Sequence, residues 1–316
     1  MESTQLWLWG GFGALITFML ALDLGVFNRK AHEPSFKEAV TWSAVWVALA
    51  LAFNGVIYYT MGTQPAIEFL TGYLIEKALS VDNIFVFVLL FGAFAVPLKY
   101  QHRVLFWGIL GAFAMRGAMI AAGSYLVEQF HFVMYIFGAI LLFTGAKMAF
   151  QNHETAVKTE DNRLLKWFRK LMPVTDQYHE DRFFVKQSTL KSGGKLVWHA
   201  TPLFLVLLLV EVTDLVFAVD SIPAIFAVTT DPFLVFASNV FAILGLRSLY
   251  FLLAGVVHRF HLLKYGLSFI LVFVGTKMLI VDFFKVPVLL SLGVIAVTIT
   301  ASVVLSLLFP RKEETK

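Results

Sequence analysis

The 316 residues are 59% hydrophobic and 15% charged, with a mean hydropathy of +0.79, a balance too apolar for a core wrapped in a wetted surface. The chain holds no cysteine, which excludes disulfides, thiolate metal sites and a Cys nucleophile, so any metal must be held by oxygen or imidazole. The net charge of +4 comes without the aromatic-basic interleaving of a nucleic-acid surface, and in a membrane chain it reflects cytoplasmic loops.

A spanning helix needs roughly 20 mostly apolar residues to cross about 30 Å of hydrocarbon. Runs of that kind occur at about 6–27, 40–60, 66–95, 104–126, 131–150, 200–225, 233–256, 264–281 and 286–309. They predict an all-α polytopic membrane protein of nine transmembrane helices, with residues 1–316 forming a single integral membrane domain. The first run follows MESTQ, which carries no Lys or Arg, and no small-residue cleavage site follows it, so it reads as a retained helix. With the N-terminus outside, the inner loops and tail hold 19 of the 25 Lys and Arg residues, against Lys285 alone outside. This bias predicts an N-out, C-in topology. Asp23, near the inner end of the first run, reads as a snorkelling end residue, with an entrance acid as the alternative.

Residues 151–199 form the one sizeable loop, expected in the cytoplasm. Within it NRLLKWFRKLM places Leu164, Leu165, Phe168 and Leu171 on one helical face between basic residues, as in a helix lying on the inner surface. The alternative is a solvated basic loop that sets topology.

Residues 66–150 and 200–281 resemble each other. FHFVMYIFGAILLFTGAKM (130–148) matches FHLLKYGLSFILVFVGTKM (260–278) at an offset of 130, pairing Tyr135 with Tyr265, Gly145 with Gly275 and Lys147 with Lys277. Upstream, Arg116 aligns with Arg247, Glu76 with Asp214 and Asp82 with Asp220. Each copy holds three spans, an odd number, so the second must cross in the opposite sense. Such an inverted repeat places a substrate site near the midplane, where the copies meet.

Two acidic clusters interrupt the apolar runs: LIEKALSVDN, with Glu76, Ser80, Asp82 and Asn83, and VEVTDLVFAVDSIPA, with Glu211, Thr213, Asp214, Asp220 and Ser221. A charge at the centre of a spanning helix costs at least about 2.5 kcal/mol, so each needs a partner, a proton or water. At about 100° per residue, Glu76, Ser80 and Asn83 share a face, as do Glu211 and Asp214, with Ser221 close by. Asp82 and Asp220 each lie about 120° from the acid six residues earlier, and join it only if the helix unwinds or kinks; Pro223 is placed to help in the second copy.

Carboxylates, an amide and hydroxyls make a hard, all-oxygen ligand set suited to Mg²⁺, Ca²⁺ or Mn²⁺. The eight histidines fall in loops or at helix ends and read as interfacial side chains. The competing reading pairs the acids with Lys77, Arg116 and Arg247 as ion pairs that fix packing. Three bases cannot neutralise five acids, and the remaining charge calls for protons or a bound cation.

At these residues the chain resembles the TerC family of integral membrane proteins, and within it the Alx branch. DLGVFNRK, GYLIEKALSVDN and EVTDLVFAVDSIPAIFAVTTDPFLVFASNVFAILGLR carry the likeness, which covers nearly the whole chain. The resemblance implies a nine-helix protein of the bacterial inner membrane that exports manganese. It assigns metal contacts to Glu76, Asp82, Asn83, Glu211, Asp214, Asp220 and Ser221, with Mn²⁺ as the transported ion and no permanently bound cofactor. The expected partners are the divalent cation and the lipid bilayer, with no nucleic acid, and no enzyme activity is expected. The alternative is an accessory protein that supports metal loading or secretion of exported enzymes, with residues 151–199 docking on secretion machinery or a metalloenzyme. An intramembrane protease or transferase would need a nucleophile and base at membrane depth.

Overall fold

The computed structural model describes residues 2–25, 35–130, 132–150, 172–175, 177–188, 196–254, 260, 262–284 and 286–309. Helices α1 (Glu2–Gly25), α2 (Phe36–Met61), α3 (Thr63–Ala93), α4 (Leu98–Gln129) and α5 (Val133–Phe150) precede a two-stranded hairpin, β1 (Phe184–Ser188) and β2 (Leu196–Ala200). Then come α6 (Pro202–Phe226), α7 (Pro232–Leu244), α8 (Leu246–Leu253), α9 (Leu263–Leu279) and α10 (Val288–Leu308). Over its described residues each of the nine apolar runs is largely helical, the seventh in two pieces. Among the described residues five helices, α2, α4, α5, α6 and α10, are long and apolar enough to cross a membrane, and the pair α7–α8, bent by 41° at its break, makes a sixth. Helix α9 has only 17 residues, and α3 carries Glu68, Glu76, Lys77 and Asp82.

Local chemistry sets the breaks. Gly62, at φ 97°, turns α2 directly into α3 through a left-handed conformation that a side chain resists. Ser35 caps α2 by accepting from the Glu38 amide at 3.3 Å. Asp231 caps α7, accepting from the Phe233 amide at 2.8 Å, with Pro232 behind it. At the other end of α7, Lys77 Nζ donates to the Ala242 carbonyl at 3.3 Å. A cation thus sits at the negative end of a broken helix.

The expectation of an all-helical chain needs one correction, an antiparallel hairpin that begins within 151–199 and ends at Ala200, pairing Phe184 with Ala200, Lys186 with Trp198 and Ser188 with Leu196. Phe184 and Val185 in β1 and Val197 and Trp198 in β2 are the aromatic and β-branched residues that favour strands. The segment is tied to the helical body: the Tyr178 hydroxyl donates to the Phe94 carbonyl at 2.7 Å, and Arg103 of α4 pairs with Asp181. Burial pushes the Tyr178 phenol up to about 12, so it remains a donor at neutral pH. The surface helix expected around Leu164–Leu171, and the side chain of Asp23, lie outside the described residues.

The most intimate helix pair is α5 with α9. A Cβ built on Gly138 would lie 3.0 Å from the Gly275 carbonyl oxygen, one on Gly275 2.8 Å from the Gly138 oxygen, and one on Gly145 2.9 Å from the Ser268 oxygen. Positions rise along α5 as they fall along α9, so the two helices run antiparallel with their backbones in contact. Ser268 adds a hydrogen bond of 2.6 Å to the Gly145 carbonyl. The offset of 130 exchanges Gly145 with Gly275 and Gly138 with Ser268, so the contacts map onto each other.

Gly145→Leu forces the seam apart and is expected to destabilise the protein by about 1–3 kcal/mol, the usual cost of overpacking. Gly55, with nothing within 4 Å of a built Cβ, serves as the control: Gly55→Ala leaves stability unchanged or slightly raised. Denaturant unfolding in detergent micelles compares the two.

Candidate functional site

Three charged side chains meet near the middle of α3, α4 and α6. Arg116 of α4, Glu76 of α3 and Asp214 of α6 are 2%, 1% and 2% exposed, so their charges are satisfied only by one another and by the polar groups beside them. The Arg116 guanidinium grips Asp214 with two bonds, Nε to Oδ2 at 3.0 Å and Nη2 to Oδ1 at 2.8 Å. Its Nη1 donates to Glu76 Oε1, and reaches Asn239 Oδ1 of α7 at 3.3 Å and Ser221 Oγ at 3.4 Å. Asn83 Nδ2 contacts Asp214 Oδ1 at 3.5 Å. The planar fork of an arginine suits this bidentate grip in a way an ammonium does not.

Apolar layers seal the cluster from both sides along each helix. On α3, Phe69 and Tyr73 pack with Phe233 and Phe241 of α7 on one side, and Ile84 and Phe87 pack with Leu105 and Val206 on the other. On α6, Leu209 and Val210 lie before Asp214, and Ala218 and Ile222 after it. In that setting several polar atoms have no described hydrogen-bond partner: Glu76 Oε2, Asn83 Oδ1, Glu211 Oε2 and Asn239 Nδ2. An unmet buried polar atom costs about 1–3 kcal/mol, more when charged, which marks the cluster as a place built to take something further.

Of the seven residues singled out in the sequence, the structure gathers Glu76, Asn83, Asp214 and Ser221 around Arg116. Glu211, one turn before Asp214, leans on α4 at Gly111, where a Cβ would lie only 2.0 Å from Glu211 Oε1. The glycine makes the room this carboxylate occupies. Asp220 stands apart, accepting from the Thr144 hydroxyl of α5 at 2.9 Å, within electrostatic reach of Lys147. Helix α6 does not unwind between the two acids and stays helical through Pro223, and six residues of helix leave Asp220 on another face. Helix α3 is likewise unbroken across Asp82, whose side chain lies outside the described residues. Ser80 and Thr213 donate to their own helices, at Glu76 O and Leu209 O, at 2.7 and 2.6 Å.

Among the described residues no group of three or more His, Asp or Glu side chains is arranged to hold a metal ion, since the guanidinium stands where the carboxylates converge. The ion pairs of Arg116 with Glu76 and Asp214 are those of the competing reading of the sequence, which did not single out Asn239. The signal for both was present: a lone Arg and a lone Asn inside apolar runs meet the same rule that marked the acids. Lys77, which the competing reading paired with an acid, caps α7.

Comparison with known proteins agrees with this architecture. The model of the integral membrane protein TerC family matches residues 61–314. The chain is 54% identical over 308 residues to "Uncharacterized membrane protein STKORF319" of Myxococcus xanthus, covering 98% of this chain and 94% of that one. It is 53% identical over 297 residues to "Putative membrane-bound redox modulator Alx" of Escherichia coli K12, covering 91% and 90%, and 44% identical over 286 residues to an uncharacterized membrane protein of Rickettsia bellii, covering 90% and 92%. No solved structure matches. The protein belongs to the TerC family of integral membrane proteins.

Proposed function

We propose that this protein is a carrier, not an enzyme, that moves a divalent cation across the bacterial inner membrane by alternating access, with Mn²⁺ as substrate and efflux as the direction. The observation that carries the reading is the charge balance of the buried centre. Glu76 and Asp214 face one guanidinium, and Glu211 lies within electrostatic reach of Asp214, which leaves two negative charges unmatched when all three acids are ionised. One divalent cation, or two protons, closes that gap. Buried oxygens from carboxylates, Asn83, Asn239 and Ser221 are the hard donors that Mn²⁺, Mg²⁺ and Ca²⁺ prefer. The choice of Mn²⁺ and the outward direction rest on the family resemblance.

The carrier's frame is nine crossings, N-terminus outside and C-terminus inside, with α3–α5 and α6–α9 as inverted copies. Support comes from the antiparallel seam of α5 and α9, whose contacts exchange under the repeat's own offset. The redox role in the name of the Escherichia coli relatives would have to act here without thiols, since the chain has no cysteine; carrying a redox-active metal ion meets that condition. The accessory reading, with residues 151–199 as a docking arm, gains less support, because Tyr178 and Arg103 hold the described part of that segment against the body.

Flux of Mn²⁺ into proteoliposomes holding the purified protein tests the reading. Glu76→Gln and Asp214→Asn should each lower flux at least about tenfold, the equivalent of losing about 1.4 kcal/mol at the centre. Asp220→Asn, off the cluster, should fall short of that, and Mg²⁺ and Ca²⁺ in excess should compete. Absence of flux from folded wild-type protein would reject the carrier reading in favour of the accessory one.

The charge balance also sets a stoichiometry. The pair of imposed Mn²⁺ and pH gradients at which net flux vanishes should return about two protons exchanged per ion, an electroneutral exchange. A flux indifferent to the pH gradient would show that protons do not fill the centre.

A further inference from the structure

The mid-membrane arginine occupies the place a cation would take. Its Nη1, Nη2 and Nε meet Glu76, Asp214, Ser221 and Asn239, the same oxygens the carrier reading offers to the ion. A guanidinium and a divalent cation cannot share that space, so one must leave when the other enters. Another carboxylate stands on the same pair of helices. Glu211 lies one helical turn from Asp214 on α6, against α4 at Gly111, the helix that carries Arg116. Its Oε2 is buried without a described partner. We propose that Arg116 is a tethered counter-cation: it holds Glu76 and Asp214 when the carrier is empty, and moves to Glu211 when the transported divalent cation takes its place.

This inference rests on the carrier reading and extends it. In the loaded centre, two carboxylates face a divalent ion and the third faces the guanidinium, so no net charge crosses the apolar layers. In the empty centre the guanidinium stands in for part of the missing ion, so two bare carboxylates need not reorient through hydrocarbon, where each would cost at least about 2.5 kcal/mol. Arg116 thereby permits the empty carrier to return, and net transport depends on it. Exchange of one ion for another, in which the carrier moves loaded both ways, does not.

Two assays on the full-length protein in proteoliposomes separate these modes: net Mn²⁺ uptake into ion-free vesicles, and tracer exchange into vesicles preloaded with Mn²⁺, at equal pH on both sides. Wild type should perform both. Arg116→Gln should lose net uptake at least about tenfold while tracer exchange stays within about threefold, and should bind Mn²⁺ about tenfold more tightly in calorimetry, because an internal competitor held about nine-tenths of the sites. Arg116→Lys, which keeps the charge, should restore part of the net uptake. Glu211→Gln, which removes the second seat, should weaken Mn²⁺ binding. If folded Arg116→Gln loses both modes equally, or binds Mn²⁺ no more tightly, the arginine only fixes packing and the proposal is overturned. If Arg116→Gln fails to fold, the proposal stands or falls on Arg116→Lys and Glu211→Gln: unchanged Mn²⁺ binding in Glu211→Gln overturns it. Wild type inactive in both modes instead overturns the carrier reading, before any variant is compared.

Discussion

A guanidinium buried near the middle of three long helices is the constraint around which the fold is arranged. Taking an ion out of water costs several kcal/mol even after relaxation, and the chain meets that cost by bringing three helices to one point. Arg116 comes from α4, Glu76 from α3 and Asp214 from α6, all close to the middle of long helices, so none can reach water by snorkelling. Removing either acid leaves the arginine short of a partner, and removing the arginine leaves two buried carboxylates. The packing of α3, α4 and α6 and the chemistry of the site are therefore one problem. The aromatic layer of Phe69, Phe233 and Phe241 on one side and the aliphatic layer of Leu105, Val206 and Leu209 on the other keep the local dielectric low, which strengthens every bond in the cluster and every deficit as well.

Bases at similar depth do different work. Arg116 neutralises acids, whereas Lys77 is engaged by the end of a helix. The break at Gly245 releases carbonyls at the end of α7, and the Lys77 ammonium reaches Ala242 O, with so little space beside it that a Cβ on Gly245 would lie 2.7 Å from Nζ. A point charge on a flexible stem suits a single carbonyl, and a planar fork suits two carboxylates. Adjacent residues of α3, Glu76 and Lys77, thus face different partners, and the adjacency in sequence says nothing of a pair. On an ideal helix neighbours point about 100° apart.

Much of this was legible in the sequence. The nine apolar runs mark the helices to within a few residues, because bilayer thickness and helical rise leave little freedom in length. Helical periodicity gathers Glu76 with Asn83, and Asp214 with Ser221, and these are the residues found around Arg116. What was not legible required knowledge across helices. No period within α6 says that Asp220 meets Thr144 of α5, or that Pro223 sits in the helix without breaking it; packing on both sides holds the last turn helical. The hairpin had a signal, Gly193 and Gly194 between two short stretches that carry Phe, Val and Trp, a common mark of a turn joining two strands. The basic residues around it favour a loop reading. Arg116 was visible as a lone charge in an apolar run, but whether such a charge fixes packing or serves a site depends on what else converges on it.

The two kinds of helix contact in this fold differ in what they can tolerate. Along α5 and α9, glycines let backbone atoms touch, with Gly138 against Gly275 and Gly145 against Ser268, as small residues do in membrane bundles generally. Such a seam has no slack: sliding one helix along the other would drive Cα hydrogens into carbonyls. The charged centre is the opposite case. Its contacts are hydrogen bonds from one five-donor fork to several acceptors, some near 2.8 Å and some near 3.4 Å, and unmet oxygens stand beside the met ones. Bonds of that kind can be traded one for another at modest cost, while close-packed backbones cannot. Any rearrangement that opens the centre must therefore leave α5 and α9 together as a unit and take place where α3, α4 and α6 meet, with Asp220 and Thr144 as the polar link between α6 and the rigid pair.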